Sequence, residues 1–181
     1  MLAVAERLSR RGRWIAISVA CGLALAAGVY VARSLWLSVP AADAAALLAV
    51  ALPDAEGQEQ RLDQWRGKVL IVNFWATWCA PCREEMREFI RFQHADGAKG
   101  LQFVGIAVDQ ADNVRQYAKE IELNYPALIG GLGAMQLSQA MGNELMALPF
   151  TVVVSRDGKI VHRQLGPLKQ TQLEQIVGKL L

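Results

Sequence analysis

The sequence predicts an α/β domain with a mixed central sheet flanked by helices, extended by an N-terminal β-hairpin and preceded by a single N-terminal transmembrane helix. Three observations carry that reading. Lys68–Phe74 and Leu101–Val108 are short apolar runs rich in β-branched residues, the pattern of parallel strands buried on both faces. Arg83–His94 lies between them. It puts Met86, Phe89 and Ile90 on one helical face and Glu84, Glu85, Arg87, Glu88 and Arg91 around the rest, which gives the order strand–helix–strand. Trp14–Ala32, near the start, carries no charge.

The N-terminal elements follow from charge and hydropathy. Of the 181 residues, 1–13 form a basic cytoplasmic segment with Arg7, Arg10, Arg11 and Arg13. Residues 14–32, as a helix, would be about 28 Å long, close to the roughly 30 Å of a bilayer core. The arginine excess on its N-terminal side keeps that side cytoplasmic and sends the remainder outward. A cleaved signal peptide with Ala42-Asp43-Ala44 as a weak cleavage site is the competing reading, although the apolar run exceeds a usual signal core. Either way the following domain is exported, and the expected location is the inner membrane, single-pass, with the C-terminal domain in the periplasm. Cys21 falls inside the apolar run and reads as a thiol buried in the anchor. Residues 33–46 read as a juxtamembrane linker and 47–181 as the globular domain. The net charge of +2 belongs to the N-terminal segment, so nothing in the charge pattern favours nucleic-acid binding.

Within the domain, Leu48–Leu52 and Gln60–Leu62 are expected to pair across the turn Pro53–Gly57. Asp112–Glu120 is expected to be helical. Gly130-Gly131-Leu132-Gly133 marks a loop. Phe150–Val154, the turn Arg156-Asp157-Gly158, and Lys159–Arg163 read as a hairpin. Gln170–Leu181 closes the chain as a helix, with Leu173, Ile176, Val177 and Leu180 spaced to cover the sheet.

Chemistry concentrates in Trp78-Cys79-Ala80-Pro81-Cys82, where the first strand turns into its helix. That position puts Cys79 at a helix N-terminus, whose unpaired N–H groups and dipole favour a thiolate. Cys79 is then the attacking sulfur and Cys82, one turn on, the resolving one. Pro81 suits the first helical turn, where its missing N–H costs little. Half of a zinc site is the first alternative, but beyond this pair only Cys21, His94 and His162 are available, and they are scattered. A purely structural bridge is the second. A loop this short would constrain the unfolded chain little. A lone cysteine pair in an exported domain points instead to a working redox pair, with no bound cofactor. Pro149, in Leu148-Pro149-Phe150-Thr151, precedes a strand and reads either as an ordinary strand-start proline or as a cis proline beside the active site.

The run from Gly67 through Asn73, Trp78, Cys79, Pro81 and Cys82 to Glu85 resembles the TlpA/ResA-type membrane-anchored thiol–disulfide oxidoreductases, as do Leu52-Pro53-Asp54, Trp65-Arg66-Gly67-Lys68 and Val154–Val161. The resemblance covers about residue 49 to the C-terminus. It implies a thioredoxin fold, Cys79 as nucleophile, Cys82 as resolving thiol, and Pro149 as a cis proline whose loop, with Leu148, meets the partner. Trp78, Pro81 and Asn73 are implied as active-site support. It further implies a periplasmic protein-disulfide reductase fed by a transmembrane thiol electron donor. Its substrates would be disulfide-containing exported proteins, with apocytochrome c among those of the family. A dithiol oxidase on the same fold, and a tethered thiol-binding module without turnover, are the rival readings. Thioredoxin itself carries an aspartate at the position of Asn73, and some relatives place a glutamate where Ala80 stands. Neither residue here titrates, so a proton acceptor for Cys82 must come from elsewhere, with Asp109 and Glu144 as candidates.

Overall fold

The computed structural model describes Gly28 and residues 44–181. The chain divides into two units, Met1–Pro40 and Ala41–Leu181, and the fold below belongs to the second. The expected basic segment, the membrane anchor apart from Gly28, and nearly all of the linker lie outside the described residues. Among the described residues no helix is long and apolar enough to cross a membrane.

A short helix α1 (Ala45–Leu48) leads into an antiparallel pair, β1 (Ala51–Pro53) and β2 (Glu59–Arg61), and a 3-10 turn at Leu62–Trp65. Then follow β3 (Val69–Trp75), α2 (Ala80–Asp96), β4 (Leu101–Ala107), α3 (Ala111–Glu120), β5 (Ala127–Ile129), α4 (Gly131–Ala140), β6 (Phe150–Val154), β7 (Ile160–Leu165) and α5 (Gln170–Leu180). The main sheet has the order β5-β4-β3-β6-β7. Strands β3, β4 and β5 run parallel, and β6 and β7 are antiparallel additions. This is the mixed α/β sheet of a thioredoxin fold.

β3 is the centre of the sheet, and all of its residues are buried. A strand covered on both faces must be apolar throughout, which explains its Val-Leu-Ile-Val-Asn-Phe-Trp composition. Its alternation divides the core. Val69, Ile71 and Trp75 join Met86 and Phe89 of α2 and Leu173 and Val177 of α5. Leu70, Val72 and Phe74 face Leu47 and Leu48 of α1 and Ala134 of α4. Each large apolar side chain buried this completely contributes about 1.5–3 kcal/mol. The polar residue in β3, Asn73, faces the α2 side.

Two expectations change. Leu48 is not the start of a strand. It ends α1, because Leu47 and Leu48 are buried together and only a helical turn brings adjacent residues toward one core. The expected loop at Gly130–Gly133 instead opens α4. Ala134, Leu137 and Met141 recur at helical spacing and cover the second face of the sheet. Gly130 permits the close approach, since a Cβ there would lie 2.6 Å from that of Ala134 and 2.9 Å from Ile106. β5 is too short to show in a periodicity, and an isolated antiparallel bridge from Asp54 to Leu128 lies against it.

Trp75 sets a second close contact. Its ring is fully buried, tilted against Tyr117 with centroids 5.8 Å apart, and lies over Gly105 of β4. A Cβ at position 105 would stand 2.7 Å from Trp75 Nε1. Gly105→Ala is therefore expected to destabilise the domain by roughly 1–3 kcal/mol through overpacking, read as a lower urea midpoint. An unchanged midpoint would show that Trp75 can move aside.

Candidate active site

The loop that follows β3 delivers Cys79 to the N-cap of α2. Its backbone is extended, its Sγ accepts the N–H of Cys82 at 3.3 Å, and Pro81 lies in the first turn. Cys79 and Cys82 are joined by a disulfide, with Cα atoms 5.3 Å apart. Both cysteines are buried, while Trp78 beside them is 69% exposed. The Cys82 N–H held on Sγ and the dipole of this helix terminus favour the Cys79 thiolate when the bond opens.

Beneath the pair lies a buried acid. Glu85 shares the inward stripe of α2 with Cys82, Met86 and Phe89, one turn after Cys82. Its Oε1 accepts Asn73 Nδ2 at 2.7 Å, and its Oε2 accepts the backbone N–H of Leu168 at 2.8 Å. Asn73 Nδ2 also donates to Thr151 Oγ1 at 3.0 Å. Burial pushes the Glu85 carboxyl up to about 7, against the opposing pull of the Leu168 and Asn73 hydrogen bonds. An acid so poised is half-ionised near neutrality, the range in which a thiol proton is exchanged usefully. Asn73 cannot titrate, but it orients the carboxyl that does.

The sheet register brings the proline loop to the same end. Phe150 pairs with Phe74, so Pro149 and Leu148 continue β6 backwards toward the level of the Cys79 loop. The Leu148–Pro149 peptide bond is cis. The carbonyl of Pro149 accepts the N–H of Gly166 at 2.9 Å, whereas the backbone of Leu148 forms no hydrogen bond among the described residues. Asn143, buried, fixes the approach to this loop: its Nδ2 donates to the carbonyl of Ala147 at 2.9 Å and its Oδ1 accepts the N–H of Ala147 at 3.2 Å.

The two carboxylates proposed from sequence as proton acceptors have other places. Asp109, at the end of β4, accepts the N–H and hydroxyl of Thr77, the N–H of Gln110 and the amide of Asn113. Burial works against its charge, but those hydrogen bonds prevail and hold the carboxyl below its usual range. It braces the loop before Cys79 as a fixed anion. Glu144 is exposed on the loop before Pro149. Glu85, Thr151, Leu168 and Asn143 are the site residues that the sequence reading did not single out. For Glu85 a signal existed: positions 82, 85, 86 and 89 form one inward stripe, so an acid at 85 had to be buried. Among the described residues no group of three or more His, Cys, Asp or Glu is placed to hold a metal ion.

The Redoxin family model matches residues 39–181. Thiol-disulfide oxidoreductase ResA of Bacillus thuringiensis is 29% identical over 128 residues, covering 70% of this chain and 72% of that protein. Thioredoxin-like protein YneN of Bacillus subtilis is 30% identical over 128 residues, covering 68% and 72%. Among solved structures, a thiol:disulfide interchange protein of the thioredoxin family from Chlorobium tepidum superposes with a TM-score of 0.66 at 27% identity, over 72% of this chain and 92% of that one. A thiol-disulfide oxidoreductase from Bacteroides fragilis gives 0.62 at 25% identity, over 73% and 96%.

The raised acid has a consequence for stability. Because its folded value lies near 7 and its ordinary value at 4.5, the folded state keeps a proton that the unfolded chain gives up. The stability tied to this group is whole below the ordinary value and is lost as pH rises through the folded one, by roughly 3 kcal/mol. Glu85→Gln keeps the site neutral at every pH. The difference in urea midpoint between variant and wild type, both oxidised, should therefore widen in the variant's favour from pH 5 to pH 8. A constant difference would show that Glu85 is already ionised at pH 5.

Proposed function

This chain belongs to the Redoxin family, and from that premise we propose that it is an extracytoplasmic thiol–disulfide oxidoreductase that reduces disulfides of exported proteins, apocytochrome c among them. The observation that carries the reading is Cys79 at the N-cap of α2, bonded to Cys82, with the Glu85 carboxyl one turn below. The reduced pair performs a two-electron exchange. The Cys79 thiolate attacks a disulfide of the partner, and one partner sulfur leaves as thiolate. The thiol proton of Cys82 passes to Glu85, and the Cys82 thiolate then attacks Cys79 Sγ. The mixed disulfide breaks, the second partner sulfur leaves as thiolate, and the Cys79–Cys82 bond forms.

The surface around Cys79 suits this exchange. Trp78 offers an exposed aromatic face, and the unpaired backbone of Leu148 offers a donor and an acceptor to an extended segment of the partner. Reduced pairs are regenerated by a transmembrane thiol donor in this reading. The arginine-flanked apolar run at residues 14–32 supports an anchored, single-pass protein with its redox domain on the far side of the inner membrane. The reductive direction rests on the resemblance of the motif to the TlpA/ResA type.

Cys82→Ser leaves Cys79 able to attack but unable to be released. Expressed in the source cell, the full-length variant is expected to accumulate exported, cysteine-containing proteins that dithiothreitol frees, and Cys79→Ser to accumulate none. An empty Cys79 in the Cys82→Ser variant would rule out turnover. The direction is read separately, by equilibrating the wild-type pair with glutathione. The proposal expects a pair more reducing than glutathione, and a strongly oxidising pair would make the protein a dithiol oxidase.

A further inference from the structure

A cavity of about 660 Å³ opens between the β1–β2 turn and α3, lined among others by Asp54, Ala55, Arg115, Ala118 and Tyr125. Arg115 Nε donates to the carbonyl of Ala55 at 3.0 Å and keeps the turn against α3. None of Trp78, Cys79 or Leu148 lines it, so a partner docked on those residues leaves this opening clear.

Tyr125 is the unusual lining residue. It is only 6% exposed, yet its hydroxyl has no hydrogen-bond partner among the described residues. A buried hydroxyl left alone is costly, and a phenylalanine would fill the same volume without that penalty. Its ring lies 5.7 Å from Phe103, which stacks at 4.9 Å on Phe89, and Phe89 stands one turn beyond Glu85 on the same stripe of α2. Burial first, then the Glu85 carboxylate and Tyr117, push the Tyr125 phenol well above its ordinary value, so it stays protonated as a donor. Two more buried atoms of β3 on this face lack partners: Asn73 Oδ1, an acceptor, and Trp75 Nε1, a donor. Buried polar atoms left without a protein partner in this way are the kind that buried water satisfies.

We propose that Tyr125 is a positioning residue whose hydroxyl, through water admitted by this cavity, hydrogen-bonds the Glu85 carboxylate and keeps that acid in exchange with solvent while a partner covers Cys79. This rests on Glu85 accepting the Cys82 proton. The proton that leaves Cys82 then passes from Glu85 to the cavity water, and the departing partner thiolate takes its own proton from solvent at the front. The remaining titratable or charged groups around the pair are Cys79 and Cys82 on α2, and Tyr117 on α3 with Arg83 6.0 Å above its ring. At the mouth stand Asp54, Glu56, Arg115, Lys119 and Glu122. Strands β3, β4 and β6 contribute none.

The test is the titration of the Glu85 carboxyl carbon by NMR in the full chain, with Glu85→Gln assigning the signal, beside the pH profile of single-turnover reduction of dithiobis(nitrobenzoate). A donor lost from a carboxylate raises its pKa. Tyr125→Phe is thus expected to move the Glu85 midpoint up by about half a pH unit or more, and the rate limb with it, slowing the step about threefold below the midpoint. Ala118→Phe, which fills the cavity and leaves Tyr125 in place, should raise the midpoint likewise, and the double variant should add little to either. A merely structural Tyr125 would leave the midpoint where it is in Tyr125→Phe, and that result overturns the proposal. An unmoved midpoint in Ala118→Phe overturns the cavity as the source of the water. A Glu85→Gln rate profile identical to wild type is a different failure: it removes Glu85 as acceptor, and the proton-release role with it, whatever Tyr125→Phe does.

Discussion

The carboxyl of Glu85 binds three parts of the domain at one point: the active-site helix that carries it, the central strand through Asn73, and the segment leading into the last helix through the N–H of Leu168. Remove the acid and the buried Leu168 N–H loses its acceptor, while Asn73 Nδ2 keeps only Thr151 Oγ1. Ionise it and a charge sits beneath an apolar disulfide. The site is held together by a group whose charge the fold itself makes unstable, so structure and redox chemistry are not separable here. Such a placement is costly to stability.

The remainder of the site depends on β3. Because that strand is buried on both faces and pairs with β4 and β6 at once, its C-terminal end fixes three things together. The Cys79 loop leaves from it, Asp109 leaves β4 in parallel beside it, and Pro149 enters β6 opposite it. Asp109 then grips Thr77, two residues before Cys79, and Asn143 holds Ala147, two residues before Pro149. Both loops that flank the disulfide are thus pinned by a side chain, and Trp78 beside the pair stays exposed.

Much of this was legible in the sequence, for definite physical reasons. A doubly buried strand must be apolar, and a cysteine pair at a strand-to-helix turn has few uses besides redox chemistry, so β3, β4, α2 and the Cys79–Cys82 pair could be read directly. Glu85 was grouped with Glu84, Arg87, Glu88 and Arg91 as a solvated face, because charge usually marks the outside of a helix. Its place on the stripe with Cys82, Met86 and Phe89 outweighs that rule. Tyr125 and Asn143 carry no local pattern, since their meaning comes from neighbours distant in sequence. α4 was hidden by its glycines, which open the helix and admit it against β4.

The bridge between Asp54 and Leu128 has an effect beyond the site. It occupies the outer side of β5, one of the two margins of the main sheet. Growth of that sheet by edge-to-edge addition of another chain is left with β7. There the pairing with β6 slips between Val153 and Val154, and His162, Arg163 and Gln164 interrupt the apolar character of the strand. A shifted, polar margin is a poor template for a further strand. The domain can therefore leave Trp78 exposed, and the backbone of Leu148 without a hydrogen bond among the described residues, without inviting copies of itself to polymerise along its sheet.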